Sequence, residues 1–180
     1  MSRAFVKEDS ADDADALPER PLPAHANYVT TRGLAQLQVR VRELAGTCET
    51  LRRGAVDDTD ARQQLRAAER DMRYYSAQLE RAELVTPASQ HHDSDGSDGS
   101  NESRDGIRIR FGASVAFLDE GGVEHTVRIV GDDEADAPAG YISWASPLAR
   151  ALIGARVGDA VTWRRPAGTA EIEILRVEYA

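Results

Sequence analysis

Three carboxylates crowd one short turn of this sequence. The stretch RRGAVDDTDARQQ, residues 52–64, brings Asp57, Asp58 and Asp60 close together. Carboxylate oxygens are hard ligands that Mg²⁺ prefers, and Mg²⁺ is commonly held by one or two of them together with water. The turn is therefore a candidate for a metal-directed role. The simpler interpretation is that aspartate caps the helix that follows and complements its dipole.

Two apolar repeats flank the turn and indicate the elements that position it. Apolar residues recur at alternating spacings of three and four: Leu34, Leu37, Val41, Leu44, Cys48 and Leu51 before it, then Ala61, Leu65, Ala68, Met72, Tyr75, Leu79 and Ala82. This spacing is typical of the seam of a coiled coil. Because the connection is short, the second helix must return antiparallel to the first. We predict a helical hairpin over residues 28–85, with the acidic turn as its tip and Thr30 or Thr31 as its N-cap.

The rest of the chain divides by composition. Residues 1–27 are rich in Ala, Asp, Glu and Pro, which predicts a disordered acidic tail. Residues 86–106 are rich in Ser, Asp and Gly, which predicts a flexible linker rather than a metal site at His91 and His92. Over residues 107–180 the apolar period becomes about two, which indicates a small antiparallel sheet. A short helix is expected between Pro147 and Gly154, so the fold class is α+β.

Charge and cysteine content limit the functions that this chain can have. The net charge of −9 disfavours binding to bare duplex DNA, which needs a basic field, and favours a protein partner or a nucleoprotein machine. Cys48 is the only cysteine, so the sequence has no internal disulfide and no cysteine-built metal site. No apolar stretch is long enough to span a membrane. We expect a cytoplasmic monomer.

Four segments in the second half of the chain carry a family resemblance. They are RIVGDDEAD (128–136), ISWASPLARALIG (142–154), VGD (157–159) and EIEILRVEY (171–179). In this order and at this spacing they resemble the C-terminal domain of the GreA/GreB transcript-cleavage factors, and FGASV (111–115) fits as well. Together with the hairpin and the TRG of residues 31–33, the resemblance covers about residues 28–180.

The resemblance implies a fold and a partner. Family members have an N-terminal antiparallel coiled coil and a C-terminal domain similar to FK506-binding proteins. That domain docks at the rim of the secondary channel of bacterial RNA polymerase, and the coiled coil enters the channel. Acidic residues at its tip help to hold the catalytic Mg²⁺ of the polymerase, which then cuts backtracked nascent RNA. A protein of this kind is not an enzyme by itself and needs no tightly bound cofactor.

The resemblance also assigns expected roles to individual residues. The Mg²⁺ of the polymerase would meet Asp57, Asp58 and Asp60, and the RNA phosphates would meet Arg52, Arg53 and Arg62. Docking on the polymerase would involve Asp132, Asp133, Glu134, Ser146 and Pro147. The alternative is structural: the three acids organise their loop, Ser146 caps a helix and Pro147 occupies its first turn.

The tip departs from the family pattern. Cleavage-active members carry an Asp and a Glu in a DLxEN-like motif, and ungapped transfer from the second helix places those two positions at Leu51 and Gly54. Neither residue ligates a metal, and the first helix is shorter than is usual in the family. These departures favour an inhibitor or modulator of the polymerase with weak cleavage activity. They affect the docking prediction less, and stimulation of cleavage stays open.

Two hypotheses from other classes remain. The expected fold admits peptidyl-prolyl isomerase activity in residues 107–180, but a fold alone does not license an activity, and the few aromatic residues indicate no proline pocket. The second hypothesis is that the protein is a simple interaction module, whose hairpin pairs with itself or with another coiled coil. Its alanine-containing seam favours close pairing of its own two helices and leaves little apolar surface for such a partner.

Overall fold

A computed structural model describes residues 17–54, 58–86 and 107–179. The helices are α1 (Thr31–Gly54), α2 (Thr59–Glu80) and α3 (Pro147–Leu152). The strands are β1 (Asn27–Val29), β2 (Ala82–Leu84), β3 (Ala113–Leu118), β4 (Glu124–Val130), β5 (Tyr141–Ser143), β6 (Ala160–Arg165) and β7 (Gly168–Tyr179). Across these ranges, no helix is both long and apolar enough to cross a membrane. The predicted linker is described only at Thr86, and its two histidines lie outside the described residues.

The chain divides into two compact units. Of the described residues, one unit comprises 17–22, 39–54 and 58–80, and the other comprises 23–38, 81–86 and 107–179. In the first unit, α1 and α2 form the predicted hairpin. Arg52 pairs with Glu69, while Arg40 lies 5.6 Å from the ring of Tyr75. Moving back along α1 therefore moves forward along α2, which shows that the two helices are antiparallel.

The predicted seam lies inside the hairpin. Leu44 and Cys48 of α1 are buried, as is Ala68 of α2. The seam prediction missed Gln78, a polar residue that is only 1% exposed. The helix was also expected to continue through Ala82, but α2 ends at Glu80.

A small parallel pair of strands in the second unit was not predicted. Strand β1 pairs with β2, with Asn27 opposite Ala82 and Val29 opposite Leu84. Just before β1, the carbonyls of Pro23 and His25 accept hydrogen bonds from Arg81 at 2.9 and 2.8 Å. The sequence placed these residues in the tail, and near its end Pro23, His25 and Asn27 make defined contacts. Three-residue strands show no period in a sequence, which is why the pair was missed.

The main sheet has the strand order β5-β4-β3-β7-β6. The β3–β4, β3–β7 and β6–β7 pairs are antiparallel, as predicted. The exception is β5, which runs parallel to β4 with Arg128 opposite Tyr141, so the sheet is mixed rather than wholly antiparallel. The cause is the connection over residues 131–140, which carries the chain back along β4. There the carbonyl of Gly140 accepts a hydrogen bond from the N–H of Arg128 at 2.8 Å.

The core lies between this sheet and α3. Alternate residues of β7, including Ile172 and Ile174, point inward and meet Leu152 of α3 in one apolar cluster. The side chain of Ser146 caps α3 by accepting the N–H of Ala149 at 3.2 Å, and the adjacent proline occupies the first turn. The predicted helix start is therefore confirmed. This unit places the acidic loop, made of Asp132, Asp133 and Glu134, beside the beginning of α1.

Candidate functional site

An aspartate at the tip of the hairpin caps the start of α2. The Asp58 Oδ1 accepts the backbone N–H groups of Asp60 at 2.9 Å and Ala61 at 3.4 Å. Asp60 lies in the first turn of α2, and both carboxylates are exposed. Asp57 lies outside the described residues. The capping interpretation therefore holds for Asp58, through one of its two oxygens.

The three arginines predicted to contact RNA are exposed and have local partners. The Nη2 of Arg52 donates to Glu69 Oε1 at 2.7 Å, and Arg53 pairs with Glu49 on its own helix. Arg62 donates to a threonine hydroxyl in the first turn of α2 at 3.3 Å. Because exposed ion pairs contribute only about 0–1 kcal/mol, these guanidinium groups exchange partners readily. Their RNA contacts stay a prediction.

The described part of the tip does not hold a metal by itself. Within residues 17–54, 58–86 and 107–179, no group of three or more His, Cys, Asp or Glu side chains has the geometry to bind one. Asp58 uses one oxygen as a helix cap, which leaves its second oxygen and the carboxylate of Asp60 as donors. One or two carboxylates suit a Mg²⁺ ion that another molecule holds. The described carboxylates therefore suit a Mg²⁺ ion that is shared with another molecule.

The acidic loop of the second unit is bound inward. The Oδ2 of Asp132 lies 2.5 Å from His25 Nε2, and its Oδ1 accepts the hydroxyl of Ser143. The imidazole of His25 meets the ring of Trp144 edge to face, with ring centroids 5.2 Å apart. Asp132 thus joins the segment before β1 to the end of β5.

Glu134 contacts the start of α1. Its Oε1 accepts the N–H of Thr30 at 3.0 Å, and its Oε2 accepts the Thr30 hydroxyl at 2.5 Å. That hydroxyl oxygen in turn accepts the N–H of Gly33 at 3.0 Å, so Thr30 is the N-cap of α1, as predicted. A carboxylate at a helix N-terminus is also favoured by the helix dipole. Glu134 therefore completes the cap of a helix 104 residues earlier in the chain.

Gly33 makes this contact possible. A Cβ at this position would lie 2.0 Å from Glu134 Oε1, closer than any real contact. The absence of a side chain at Gly33 is therefore the condition for the carboxylate to reach the helix start. A glycine in the first turn of a helix was the one signal in the sequence for this contact.

The residues predicted to dock on the polymerase are thus found in internal roles. Asp132 and Glu134 are half-buried with internal partners, and Asp133 lies half-buried between them in a 3₁₀ turn. Ser146 and Pro147 begin α3. The structural interpretation accounts for Asp132, Glu134, Ser146 and Pro147, and the docking role of all five residues stays a prediction. The sequence prediction did not include His25, Gly33 or Ser143, which complete these contacts.

A second histidine is also in a structural role. The Nε2 of His125 lies 2.8 Å from Asp119 Oδ2, and its ring stacks on Phe117 with a centroid distance of 5.4 Å. Hydrogen bonds from the N–H of Val123, from His125 and from the N–H of Gly121 hold the pKa of the Asp119 carboxyl below its usual range. These contacts close the β3–β4 turn. Phe117 is buried in the core and does not line an aromatic proline site.

The fold and the site define a class of protein: a two-helix hairpin with an acidic tip, followed by a curled mixed sheet with one short helix. Residues 104–179 match the family model "Transcription elongation factor, GreA/GreB, C-term". This part of the chain is therefore similar to the C-terminal domain of the GreA/GreB factors.

Two curated relatives illustrate the extent of the similarity. The chain is 42% identical to transcription elongation factor GreB of Neisseria meningitidis serogroup B over 118 residues, 66% of this chain and 64% of that protein. It is 51% identical to transcription elongation factor GreA of Agrobacterium fabrum over 75 residues, 41% of this chain and 48% of that protein. The matches thus span less than two thirds of the length of either relative.

A solved structure is similar over most of the chain. The GreA factor homolog 1 (Gfh1) of Thermus thermophilus is 24% identical, with a TM-score of 0.37 over 86% of this chain and 99% of that one.

Proposed function

We propose that this protein regulates transcription elongation by binding bacterial RNA polymerase. The observation that carries this proposal is the GreA/GreB family match over residues 104–179. The relatives of the chain are named as elongation factors, and the hairpin belongs to the architecture that the family resemblance implies. The protein acts as a cofactor of the polymerase and performs no hydrolysis itself.

The hairpin is the part that reaches the active site in this proposal. The C-terminal domain docks at the secondary channel, and the hairpin enters it. With 24 residues at about 1.5 Å each, α1 is a rod of about 36 Å. The exposed acids of the tip lie at the opposite end of this rod from Thr31. The position of Asp58 is set by its capping bonds, which limits the side-chain entropy that it loses on binding.

The acidic tip meets the Mg²⁺ of the polymerase. Asp58 and Asp60 supply carboxylate oxygens, and Asp57 is the third acid of the same turn. When bound, Mg²⁺ lowers the pKa of a coordinated water and stabilises a leaving oxygen in phosphoryl transfer. The tip residues donate ligands to this ion, while the polymerase supplies the rest of the site.

The arginines beside the tip bind phosphates of the nascent RNA. Arg52, Arg53 and Arg62 are exposed and are held only by weak local pairs. A guanidinium forms two parallel hydrogen bonds to a phosphate, which is stronger than the exposed pairs that it replaces. This exchange steadies the RNA end near the tip.

Inhibition or modulation is the direction that the tip favours. The DLxEN-like motif of cleavage-active members is absent, and the acids lie in a different arrangement. Carboxylates that reach the metal without the cleavage arrangement perturb its coordination or occlude the channel. Stimulation of cleavage by a rearranged tip is the alternative.

A test uses backtracked RNA polymerase complexes with Mg²⁺ and follows the length of the RNA on a gel. The informative variant combines Asp57→Asn, Asp58→Asn and Asp60→Asn, because asparagine caps a helix as well as aspartate but carries no charge. The control removes two exposed acids of the hairpin away from the tip, Glu43→Gln and Glu80→Gln. It should behave as the wild-type protein does.

Three outcomes separate the alternatives. Slower elongation that the triple variant relieves establishes an inhibitor directed at the channel. Shortened RNA that depends on the three aspartates establishes a cleavage factor with a rearranged tip. An effect that persists unchanged in the triple variant removes the role of the tip, and no effect of the wild-type protein on the polymerase contradicts the proposed function.

A further inference from the structure

A segment that precedes the hairpin lies against α2. The guanidinium carbon of Arg20 is 3.9 Å from the centroid of the Tyr74 ring and 5.1 Å from that of Tyr75. The Nη1 of Arg20 is also 3.5 Å from Asp71 Oδ1. The two tyrosine rings meet edge to face, with centroids 5.1 Å apart. Arg20 therefore covers a pair of adjacent aromatic rings on the helix.

The neighbouring residue makes a second contact of opposite charge. The Oε1 of Glu19 accepts hydrogen bonds from Arg73 Nε at 3.1 Å and from Nη2 at 2.5 Å. Glu19 thus binds a cation of α2, while Arg20 binds an anion and two aromatic rings of the same helix. Because Glu19 needs a cation and Arg20 needs an anion or an aromatic ring, the two contacts together fix the position of the segment along α2. A single ion pair would not.

The face under the segment has the composition of a docking surface. Tyr74 lies outside the predicted helix seam, and Arg40 of α1 approaches Tyr75 to 5.6 Å. Tyrosine and arginine are the residue types that protein interfaces most often use as energetic anchors. Here they are adjacent on one helix, and their present occupant is a segment of the same chain.

The contacts are suited to release. The Glu19 and Arg73 side chains are 62% and 55% exposed, and ion pairs at such exposure are weak. The Arg20 and Asp71 side chains are 35% and 26% exposed, so this contact is the firmer of the two. The contacts of Glu19 and Arg20 are made by charged groups, and a competitor with the same chemistry can displace them.

We propose that residues 17–22 form a releasable strap over an interaction surface made of Tyr74, Tyr75 and Arg73. The strap competes with a protein segment that presents a carboxylate to Arg73 and a planar or cationic group to the tyrosine pair. This inference rests on the proposed function, because the competing segment belongs to RNA polymerase. The covered surface is the state of lower affinity for the polymerase, and the open surface is the state of higher affinity.

The first measurement tests the strap in the full-length protein alone. N-acetylimidazole acetylates accessible tyrosines, and peptide mass mapping gives the rate at each site. In the Arg20→Ala variant the summed rate at Tyr74 and Tyr75 should rise severalfold, while Tyr179 in the other unit serves as an internal reference. Arg20→Lys keeps the charge but lacks the planar group that stacks on the rings, so its rate should be intermediate. Equal rates in the three proteins would overturn the proposal.

The second measurement compares the affinities of these proteins for RNA polymerase. Arg20→Ala and Glu19→Gln should each bind about three- to tenfold more tightly than the wild type, which corresponds to about 0.7–1.4 kcal/mol. The matched control is Arg176→Ala, an exposed arginine on β7 that lies outside the strap. Equal or weaker binding by both strap variants would overturn the competition.

The two measurements separate this proposal from the proposed function. If no protein binds the polymerase, the proposed function fails and the competition fails with it, while the acetylation rates still report whether the strap is docked. If the polymerase binds and the acetylation rates are equal, the strap alone is wrong.

Discussion

The two acidic segments of this chain are similar in composition and opposite in their surroundings. At the tip, Asp58 and Asp60 are exposed, and the Asp58 carboxylate accepts hydrogen bonds from N–H groups two and three residues along the chain. In the loop, Asp132 and Glu134 are half-buried and bind partners 107 and 104 residues away. The tip acids are thus available to another molecule, whereas the loop acids connect distant parts of one unit.

The difference teaches that an acidic motif is not by itself evidence of a binding site. A half-buried carboxylate with several donors holds the fold, and its loss leaves those donors unpaired at a cost of about 1–3 kcal/mol. An exposed carboxylate away from such features changes stability by about 0.5 kcal/mol or less. Measurements of the free energy of unfolding therefore test whether the acids of the two segments differ in this way.

The largest effect is expected at Glu134. Glu134→Ala removes the charge-assisted hydrogen bonds to Thr30 and leaves the start of α1 without this partner. The free energy of unfolding should fall by about 2–3 kcal/mol, as measured by urea denaturation. The exposed acid Glu173 on β7 is the control, and Glu173→Ala should change it by about 0.5 kcal/mol or less. Equal effects of the two substitutions would break the comparison.

Gly33 provides a stricter control on the same contact. In the wild type, Gly33→Ala forces Glu134 away from the helix start and should destabilise the protein. In the Glu134→Ala background the three atoms nearest to the new methyl group are absent. Alanine is then favoured over glycine in a helix by up to about 1 kcal/mol. The effect of Gly33→Ala on the free energy of unfolding should therefore change sign between the two backgrounds. A destabilisation of equal size in both would show that Gly33 does not act through Glu134.

A smaller effect is expected at the tip. Asp58→Ala removes the cap of α2 and should lower the free energy of unfolding by about 1 kcal/mol, whereas Asp58→Asn keeps the cap and should leave it nearly unchanged. Asp60→Ala should change it by about 0.5 kcal/mol or less. Thermal unfolding of the three variants measures this order. A large loss in Asp60→Ala would place that acid with the loop acids.

The smallest effect concerns a third acidic turn, at Asp119. Its pKa is lowered by hydrogen bonds from the N–H of Val123, from His125 and from the N–H of Gly121. Because the folded pKa lies below the ordinary value of 3.8, Asp119 contributes stability above that value. The contribution is lost as the pH falls through the folded pKa.

Urea denaturation between neutral pH and about pH 3 measures this loss. Asp119→Asn should be less stable than the wild type at neutral pH, and the difference should shrink toward acid. A difference that does not depend on pH would mean that the ionised carboxylate is not what these groups stabilise.

Local pattern predicted the hairpin and the start of α3. Leu44 and Cys48 belong to a repeat of three and four residues, which places apolar side chains on one face of a helix. The capping residues Thr30 and Ser146 accept hydrogen bonds from N–H groups only three residues away. Such features depend on neighbours in the sequence, so they are visible in it.

The sequence prediction missed contacts between segments that are far apart in the chain. The β1–β2 pair joins segments more than fifty residues apart, and each strand has only three residues. The parallel placement of β5 depends on how the preceding loop folds back along β4. The segment bearing Glu19 and Arg20 was predicted as part of a disordered tail, because its contacts are made by side chains and not by any periodic pattern.

From the sequence we could predict the helical hairpin, the acidic turn at its tip and a sheet domain with one short helix. These follow from residue spacing and local capping, which act over a few positions. The tertiary structure alone decided that Asp132 and Glu134 bind inward, that Gly33 admits Glu134, and that Arg20 covers Tyr74. Each of these contacts joins residues far apart in the chain, so it exists only once the backbone has folded and brought their side chains together.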